Sequence, residues 1–454
     1  MLLNKIIQRD YTSFSPYYQI KLSLDLEISI PSDDPVRLVS AFVEEMDLSE
    51  LYKTYGRIRK HQATPRQMLK LVIYAAMNRI YSSRDIRKAC KRDINFMYLL
   101  EGMPAPDHAT IARFISLHFS VCAKALLAQM SDLLYLLGEI SGKTIFIDGT
   151  KIESVANKYT FVWKRAITKN QVRLYTKLFS FVAECEELYG IKMVYHDRIS
   201  IHTLKRLKKQ LCRIKVREGI VFVHGIGRRK TQLQKSLEQL DQYLEKLKEY
   251  TKKLYALGDR NSYSKTDPDA TFMRMKEDAM LNGQLKPAYN IQHGVDSEYI
   301  TWLDISSHPT DTCTLIPFLK DMDRYLGFKY SEIVADAGYE SEENYLFIEK
   351  NGQTAYIKPQ NYEISKTRKY KKDISRRENM EYHADSDSYI CRNGRELIAT
   401  NERRSKTVSG YVSIKTYYRS PDCTGCPYKT DCIKGNNCKT PMEKRNKVLM
   451  FQRR

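Results

Sequence analysis

The chain has 454 residues, 42% of them hydrophobic, with 75 Lys and Arg against 54 Asp and Glu for a formal charge of +21. This length accommodates about two to four domains with real cores, and the ordinary apolar content excludes a disordered tail. The opening MLLNKIIQRDYTS lacks the sustained apolar stretch of a signal peptide, and no run of about 18 apolar residues suggests a membrane span. A balance this basic points to a polyanionic partner, above all nucleic acid, with a solvated basic face as the alternative. Residues 361–454 hold 22 Lys and Arg against 11 Asp and Glu, about half of the excess.

The first 140 residues read as helical. In TPRQMLKLVIYAAMNRI, Thr64 is an N-cap and Pro65 takes the first helical position, while Met68, Leu69, Val72, Ile73, Ala76, Met77 and Ile80 recur at helical spacing. Ser82 or Ser83 caps a second helix carrying Arg84, Arg87, Lys88, Lys91 and Arg92. Asp107 caps a third, with His108 in its first turn. Short basic helices with tight turns suit a helix-turn-helix-like DNA module, and a helical dimerisation domain fits as well.

A strand then delivers Asp148 in TIFIDGTKIES, with Gly149 behind it reading as an Asp-Gly turn. Residues 165–258 interrupt the pattern. Leu204, Leu207, Leu211 and Ile214, and then Leu233, Leu237, Leu240, Leu244, Leu247 and Leu254, form heptad seams that predict a largely helical, hairpin-like insertion. Strands resume in KPAYNIQHGVDSEYITWLDIS, with a turn near Asp296–Ser297. A helix, TCTLIPFLKDMDRYLG, leads to a second strand ending in an acid, Asp336 of SEIVADAGYES. A further helix closed by Gly352 and a strand stopped by Pro359 complete a mixed α/β sheet.

Charge at the tip of a buried strand is costly unless a cation or hydrogen-bond donors meet it. Two such carboxylates in a basic chain point to divalent-metal phosphoryl transfer. Mg²⁺ favours a few carboxylates plus water and phosphate oxygens, and ions about 3.5–4 Å apart serve the attacking and leaving oxygens. IFIDGTKI also has the outline of the phosphatases with an Asp-x-Asp-Gly-Thr signature. Phe146 stands at their nucleophile position and cannot attack phosphorus, which removes that reading. Near the end, Cys423, Cys426, Cys432 and Cys438 read C-x2-C-x5-C-x5-C, a set that suits a structural Zn²⁺ as well as free thiols, with Cys391 as a substitute ligand.

TIFIDGTKIESVANKYTFVWKR, TDPDATFMRMK, KPAYNIQHGVD and IVADAGYESEENY together resemble, in order, the motif blocks of DDE-type bacterial insertion-sequence transposases. CKRDINFMYLLEGMPAPDHATIARF resembles their helical N-terminal domain. The resemblance implies a ribonuclease-H-like core with Asp148 and Asp336 as the first and second catalytic acids, Mg²⁺ (or Mn²⁺) between them, and DNA ends and target DNA as partners. It also implies a homodimer on DNA and a cytoplasmic, nucleoid-associated protein with no membrane role. The resulting division is a helical domain over 1–140, core over 141–164 and 259–362, the insertion over 165–258, and a basic Cys-containing region over 363–454. Asp267 and Asp269 of the DPDA block read as caps of a helix start.

The family's third carboxylate is a Glu on a late helix within a Gly-Phe-containing block. Only Glu443 follows Cys438, among Lys444, Arg445 and Lys447. Glu378, Glu381 and Glu396 lack the motif as well. The expectation is therefore a C-terminally truncated transposase lacking the third acid, with an inactive DNA-binding remnant as the alternative function.

Overall fold

The computed structural model describes residues 30–57, 60–195, 198–225, 227–275, 283–407, 409–435 and 438–452; the opening MLLNKIIQRDYTS lies outside them. The chain divides into two compact units, one ending at Leu133 and one beginning at Leu134.

The first unit is helical: α1 (Pro35–Glu45), α2 (Ser49–Lys53), α3 (Pro65–Met77), α4 (Ser83–Arg92), α5 (Ile94–Leu100) and α6 (His108–Arg113), with a π-helical segment Phe114–Phe119 leading into α7 (Ser120–Leu136). Helix α3 starts where its sequence says it should. The Thr64 hydroxyl accepts from the Gln67 N–H at 3.3 Å, and the Gln67 side chain accepts from the Thr64 N–H at 2.8 Å. Such a reciprocal cap contributes about 1 kcal/mol. The Asp107 carboxylate caps α6 by accepting from the Ala109 N–H, whereas Ser82 precedes α4 without a side-chain cap bond. Leu69, Leu71, Phe96, Leu99 and Ile111 are fully buried in this unit. Lys70 is only 1% exposed, and its ammonium is held by Glu44 at 2.5 Å and Glu101 at 2.9 Å. Two carboxylates meet the desolvated charge, as burial requires.

The helical run His108–Leu136 departs from the expectation of no long apolar stretch, because its length and mean hydropathy of 1.5 would let it cross a membrane. Ile111, Phe114, Cys122 and Leu126 of that run belong to the core of the helical unit, while only 28% of its most apolar window is buried.

The second unit is built on a six-stranded mixed sheet: β1 (Thr144–Glu153), β4 (Thr271–Arg274), β5 (Leu285–Asp296), β6 (Tyr299–Ser306), β7 (Glu332–Ala335) and β8 (Thr354–Ile357). β1, β7 and β8 are parallel, β5 runs antiparallel to β1, and β4 and β6 share the outer edge of β5. The turn between β5 and β6 contains Ser297 at φ 58°. Helices α11 (Leu315–Tyr325) and α12 (Glu342–Lys350) supply Phe318, Leu319, Met322 and Ile348 to the core beside Ile145 and Ile333. Phe318 sits so close to the strands that a Cβ on Gly294 would meet its ring at 3.1 Å and Ile145 Cδ1 at 2.5 Å. A glycine inside β5 therefore marks close packing.

Between β1 and β5 lies a three-helix insertion, α8 (Lys164–Tyr189), α9 (Ile201–Arg217) and α10 (Gln232–Leu257), joined to the sheet through the short ribbon β2 (Phe161–Trp163) and β3 (Ser262–Ser264). Leu204, Leu207 and Leu211 of α9 and Leu233, Leu237, Leu240, Leu244 and Leu247 of α10 are buried as their spacing predicts, and Ile214 is half-buried beside them. Leu254 packs against a separate core at Val162, Ile167 and Tyr263, and Lys208 pairs with Asp241 across the seams at 2.5 Å. The sequence reading named only those two seams. Leu174, Leu178, Phe181, Val182 and Cys185 of α8 fill the same core.

The polar region after Pro359 holds a second sheet, for which no strands were expected. β9 (Glu381–His383), β10 (Ser388–Ile390), β11 (Glu396–Lys406), β12 (Val412–Arg419) and β13 (Val448–Gln452) form five antiparallel strands. Its core is small, consisting of Tyr389, Leu397, Tyr418 and Leu449.

Candidate active site

β1 and β7 pair in parallel from Thr144 opposite Glu332 to Ile147 opposite Ala335. The next residue on each strand is an aspartate, Asp148 and Asp336, and neighbouring strands lie about 4.8 Å apart. β7 stops there. β1 does not, because β5 goes on pairing with it through Asp148 opposite His293 and Gly149 opposite Gln292 as far as Glu153. Asp148 is thus inside its strand and not at the tip; the parallel pairing is what ends.

Gly149 is likewise no turn residue. A Cβ there would lie 2.8 Å from Gln292 Nε2, 2.9 Å from Asp311 Oδ1 and 3.2 Å from the Tyr339 hydroxyl. The glycine lets those polar groups approach the strand.

Alternation along β1 buries Ile145 and Ile147 and leaves Phe146, Asp148 and Thr150 exposed. Two isoleucines anchor the strand while the carboxylate that follows them points the other way, which avoids the desolvation cost of a buried charge. Asp148 Oδ1 accepts from the Gly149 N–H at 2.8 Å, and Asp336 Oδ1 accepts from the Gly338 N–H at 2.7 Å. Each carboxylate keeps its other oxygen uncommitted among the described residues. His293 flanks Asp148 from β5 across the strand pair; it lies within the KPAYNIQHGVD block, where the sequence reading assigns it no role. The register of the strands is the signal that finds it.

Beneath the pair runs a polar network that the sequence reading also missed. Asp311 lies in the turn before α11, and its Oδ1 accepts from Asn290 Nδ2 at 2.7 Å and Gln292 Nε2 at 3.4 Å. The Tyr339 hydroxyl donates to Gln292 Oε1, and Asn344 Nδ2 donates to the Tyr339 and Thr312 carbonyls at 2.7 and 3.1 Å. Asn290, Gln292, Tyr339 and Asn344 are all at most 1% exposed. Burial pushes the Tyr339 hydroxyl far above its ordinary pKa, with Asp311, Asp148 and Asp336 adding to the shift, so it remains a donor at neutral pH.

The DPDA block caps no helix, because β4 follows it. Asp267 instead accepts from Ser154 at 2.5 Å and from the Tyr289 hydroxyl at 2.8 Å, tying the segment after β1 to β5. The cysteines do not assemble as C-x2-C-x5-C-x5-C. Cys438 is exposed, and its thiol is lowered by the Thr440 backbone and hydroxyl. Cys432 has Cys391, Cys423 and Cys426 in its electrostatic surroundings, and burial raises it. Among the described residues, no group of three or more His, Cys, Asp or Glu is arranged to hold a metal ion, so the four-cysteine zinc site is not supported. Glu443 lies in a short turn, Met442–Lys444, and Glu381 and Glu396 lie on the second sheet, with no third acid grouped with the aspartate pair for metal binding.

Comparison with known families gives two matches. Residues 24–117 match a transposase domain family (DUF772), and residues 260–420 match the transposase DDE domain. The second match contains Asp311 and Asp336 and begins beyond Asp148. No curated protein and no solved structure matches the chain. The mixed sheet β6-β5-β1-β7-β8 with its helical N-terminal unit is the ribonuclease-H-like arrangement of a DDE domain. The chain belongs to the DDE-type transposases of insertion-sequence elements, a family of DNA phosphoryl-transfer enzymes.

Proposed function

We propose that this transposase binds the ends of its element and carries out Mg²⁺-dependent strand cleavage and transfer, with Asp148 and Asp336 as its catalytic metal ligands. The observation that carries the reading is the parallel register, in which two aspartates follow the last β1–β7 pair, each with one uncommitted oxygen. Such a donor set fits an ion that takes few carboxylates and fills its remaining positions with water and phosphate oxygens. When bound, that ion supplies Lewis-acid polarisation of the scissile phosphate and a stronger oxygen nucleophile. The Gly149 and Gly338 N–H groups fix the orientation of the two carboxylates. His293, paired opposite Asp148 on β5, would donate to a phosphate oxygen there. The charge of +21 supplies salt-sensitive attraction to the DNA backbone. The chain works in the cytoplasm, at the nucleoid, as a homodimer that brings two element ends together. The helical unit contributes DNA binding, the core spans the two parts of the sheet around the insertion, and the basic second sheet is a separate module.

A second reading, DNA binding without cleavage, is favoured by one observation: no third acid is grouped with the pair for metal binding among the described residues. A plasmid carrying the DNA that flanks the gene on both sides separates the two readings. Nicking that requires Mg²⁺ and stops with EDTA is the expected result; retained, salt-sensitive binding with no nicking would establish the second.

A further inference from the structure

Asp311 belongs to no motif, yet it meets β5 and the backbone behind both aspartates. Its Oδ1 takes hydrogen bonds from Asn290 and Gln292 of β5. The same oxygen lies 2.9 Å from where a Cβ on Gly149 would be, one residue after Asp148. Its Oδ2 lies 3.2 Å from where a Cβ on Gly338 would be, and Asp336 Oδ1 lies 3.0 Å from that point. One side chain is therefore wedged between the backbone behind Asp148 and the turn behind Asp336, and both contacts exist because both residues are glycine. Asn344 closes the frame by holding the Thr312 and Tyr339 carbonyls together.

We infer that Asp311 is the positioning residue of the active site: it fixes the separation of Asp148 and Asp336 through the backbone at Gly149 and Gly338 without itself binding the metal. This inference rests on the proposed role of the aspartate pair. A buried polar frame whose donors are all engaged is stiff, because breaking any of these bonds strands a desolvated group; Asn290 Oδ1 is its one buried atom without a partner among the described residues. Outer-shell partners of metal-binding carboxylates typically change metal affinity or activity by about 10–100-fold when removed. Asp311 serves as an acceptor, so an amide oxygen at this position can replace it. A carboxylate that binds the ion directly would lose its charge in the same exchange and with it most of its metal affinity.

The test counts bound Mn²⁺ by electron paramagnetic resonance in the full chain and follows Mg²⁺-dependent nicking of the same flanking-DNA plasmid. Asp311→Ala should weaken Mn²⁺ binding and raise the Mg²⁺ needed for nicking by about 10–100-fold, with DNA affinity unchanged. Asp311→Asn should restore both to within a few-fold of the parent. Gly149→Ala, whose Cβ intrudes on Gln292 and Asp311 from the opposite side, should reproduce the Asp311→Ala shift, and it carries the test if Asp311→Ala does not fold. Parent-like Mn²⁺ binding in Asp311→Ala and Gly149→Ala overturns the inference. So does an Asp311→Asn variant as inert as Asp148→Asn, since that would make Asp311 a ligand. Asp148→Asn and Asp336→Asn run alongside: if they are inert while Asp311→Ala is normal, only the positioning role falls. If they too bind Mn²⁺ and nick normally, the aspartate-pair reading falls first.

Discussion

The two sheets of the second unit are built by opposite means. The sheet that carries Asp148 and Asp336 has buried isoleucines on β1 and β7 and helices α11 and α12 supplying Phe318, Leu319 and Ile348 to its core. Under the aspartate pair its polar side chains form a hydrogen-bonded frame, Asn290, Gln292 and Tyr339 around Asp311. The sheet β9–β13 has strands so polar that Leu397 is the only buried residue of β11, and its core is two tyrosines and two leucines. Hydrogen bonds and ion pairs at its margin do more of the holding: Asp373 is bound by Lys434 at 2.7 Å and Ser375 at 2.6 Å, and Lys447 reaches the Ser375 and Cys432 carbonyls. A large apolar core can fix carboxylates to a set spacing, whereas a thin one leaves its sheet dependent on charge and therefore on pH.

The largest effect should come from breaking the first sheet. Trp302 is fully buried on β6, packed 5.5 Å from the Tyr325 ring. Trp302→Ala should cost about 3–5 kcal/mol, comparable to the whole stability of many domains. Circular dichroism melts should show loss of the main transition. Leu397→Ala should cost about 2–5 kcal/mol, confined to the second sheet. Limited proteolysis would then cut within residues 381–452 while β1 and β5 stay protected; simultaneous loss of both sheets would show that they fold as one.

A smaller effect should appear on acidification. The Lys434 ammonium and the Ser375 hydroxyl and N–H hold the Asp373 carboxyl well below the usual carboxylate range. A depressed folded-state pKa contributes stability that is fully present above the ordinary value of about 3.9 and is lost as pH falls below it. The second sheet should loosen from about pH 4 downward, and Asp373→Asn should flatten that dependence in melts recorded across the range. An unchanged slope in the variant would remove Asp373 from the account.

Much of this architecture is legible in the residues themselves. Thr64 with Gln67, Asp107, and the leucine seams of α9 and α10 announce their helices because caps and heptads are local patterns. The strands around Asp148 and Asp336 are readable because apolar runs end in acids. Helix α8 is harder to read: Leu174, Leu178, Phe181 and Cys185 keep the four-three-four spacing of a heptad seam, but a phenylalanine and a cysteine stand where the other two seams carry mostly leucine. β11 is harder still, because a strand with one buried side chain has no alternation to detect. Asp311 and His293 enter the site through long-range register, which no local window contains. Gly149 misled for the same reason: next to Asp148 it has the form of a turn, and only β5 and Asp311 explain why it has no side chain.

The central claim, that Asp148 and Asp336 together hold a catalytic divalent ion, is tested most directly by Mn²⁺ titration of the parent chain, Asp148→Asn and Asp336→Asn, read by electron paramagnetic resonance with DNA binding measured in parallel. The account predicts that either substitution removes the bound Mn²⁺ while salt-sensitive DNA affinity stays as in the parent. Mn²⁺ bound equally well by all three proteins would contradict it.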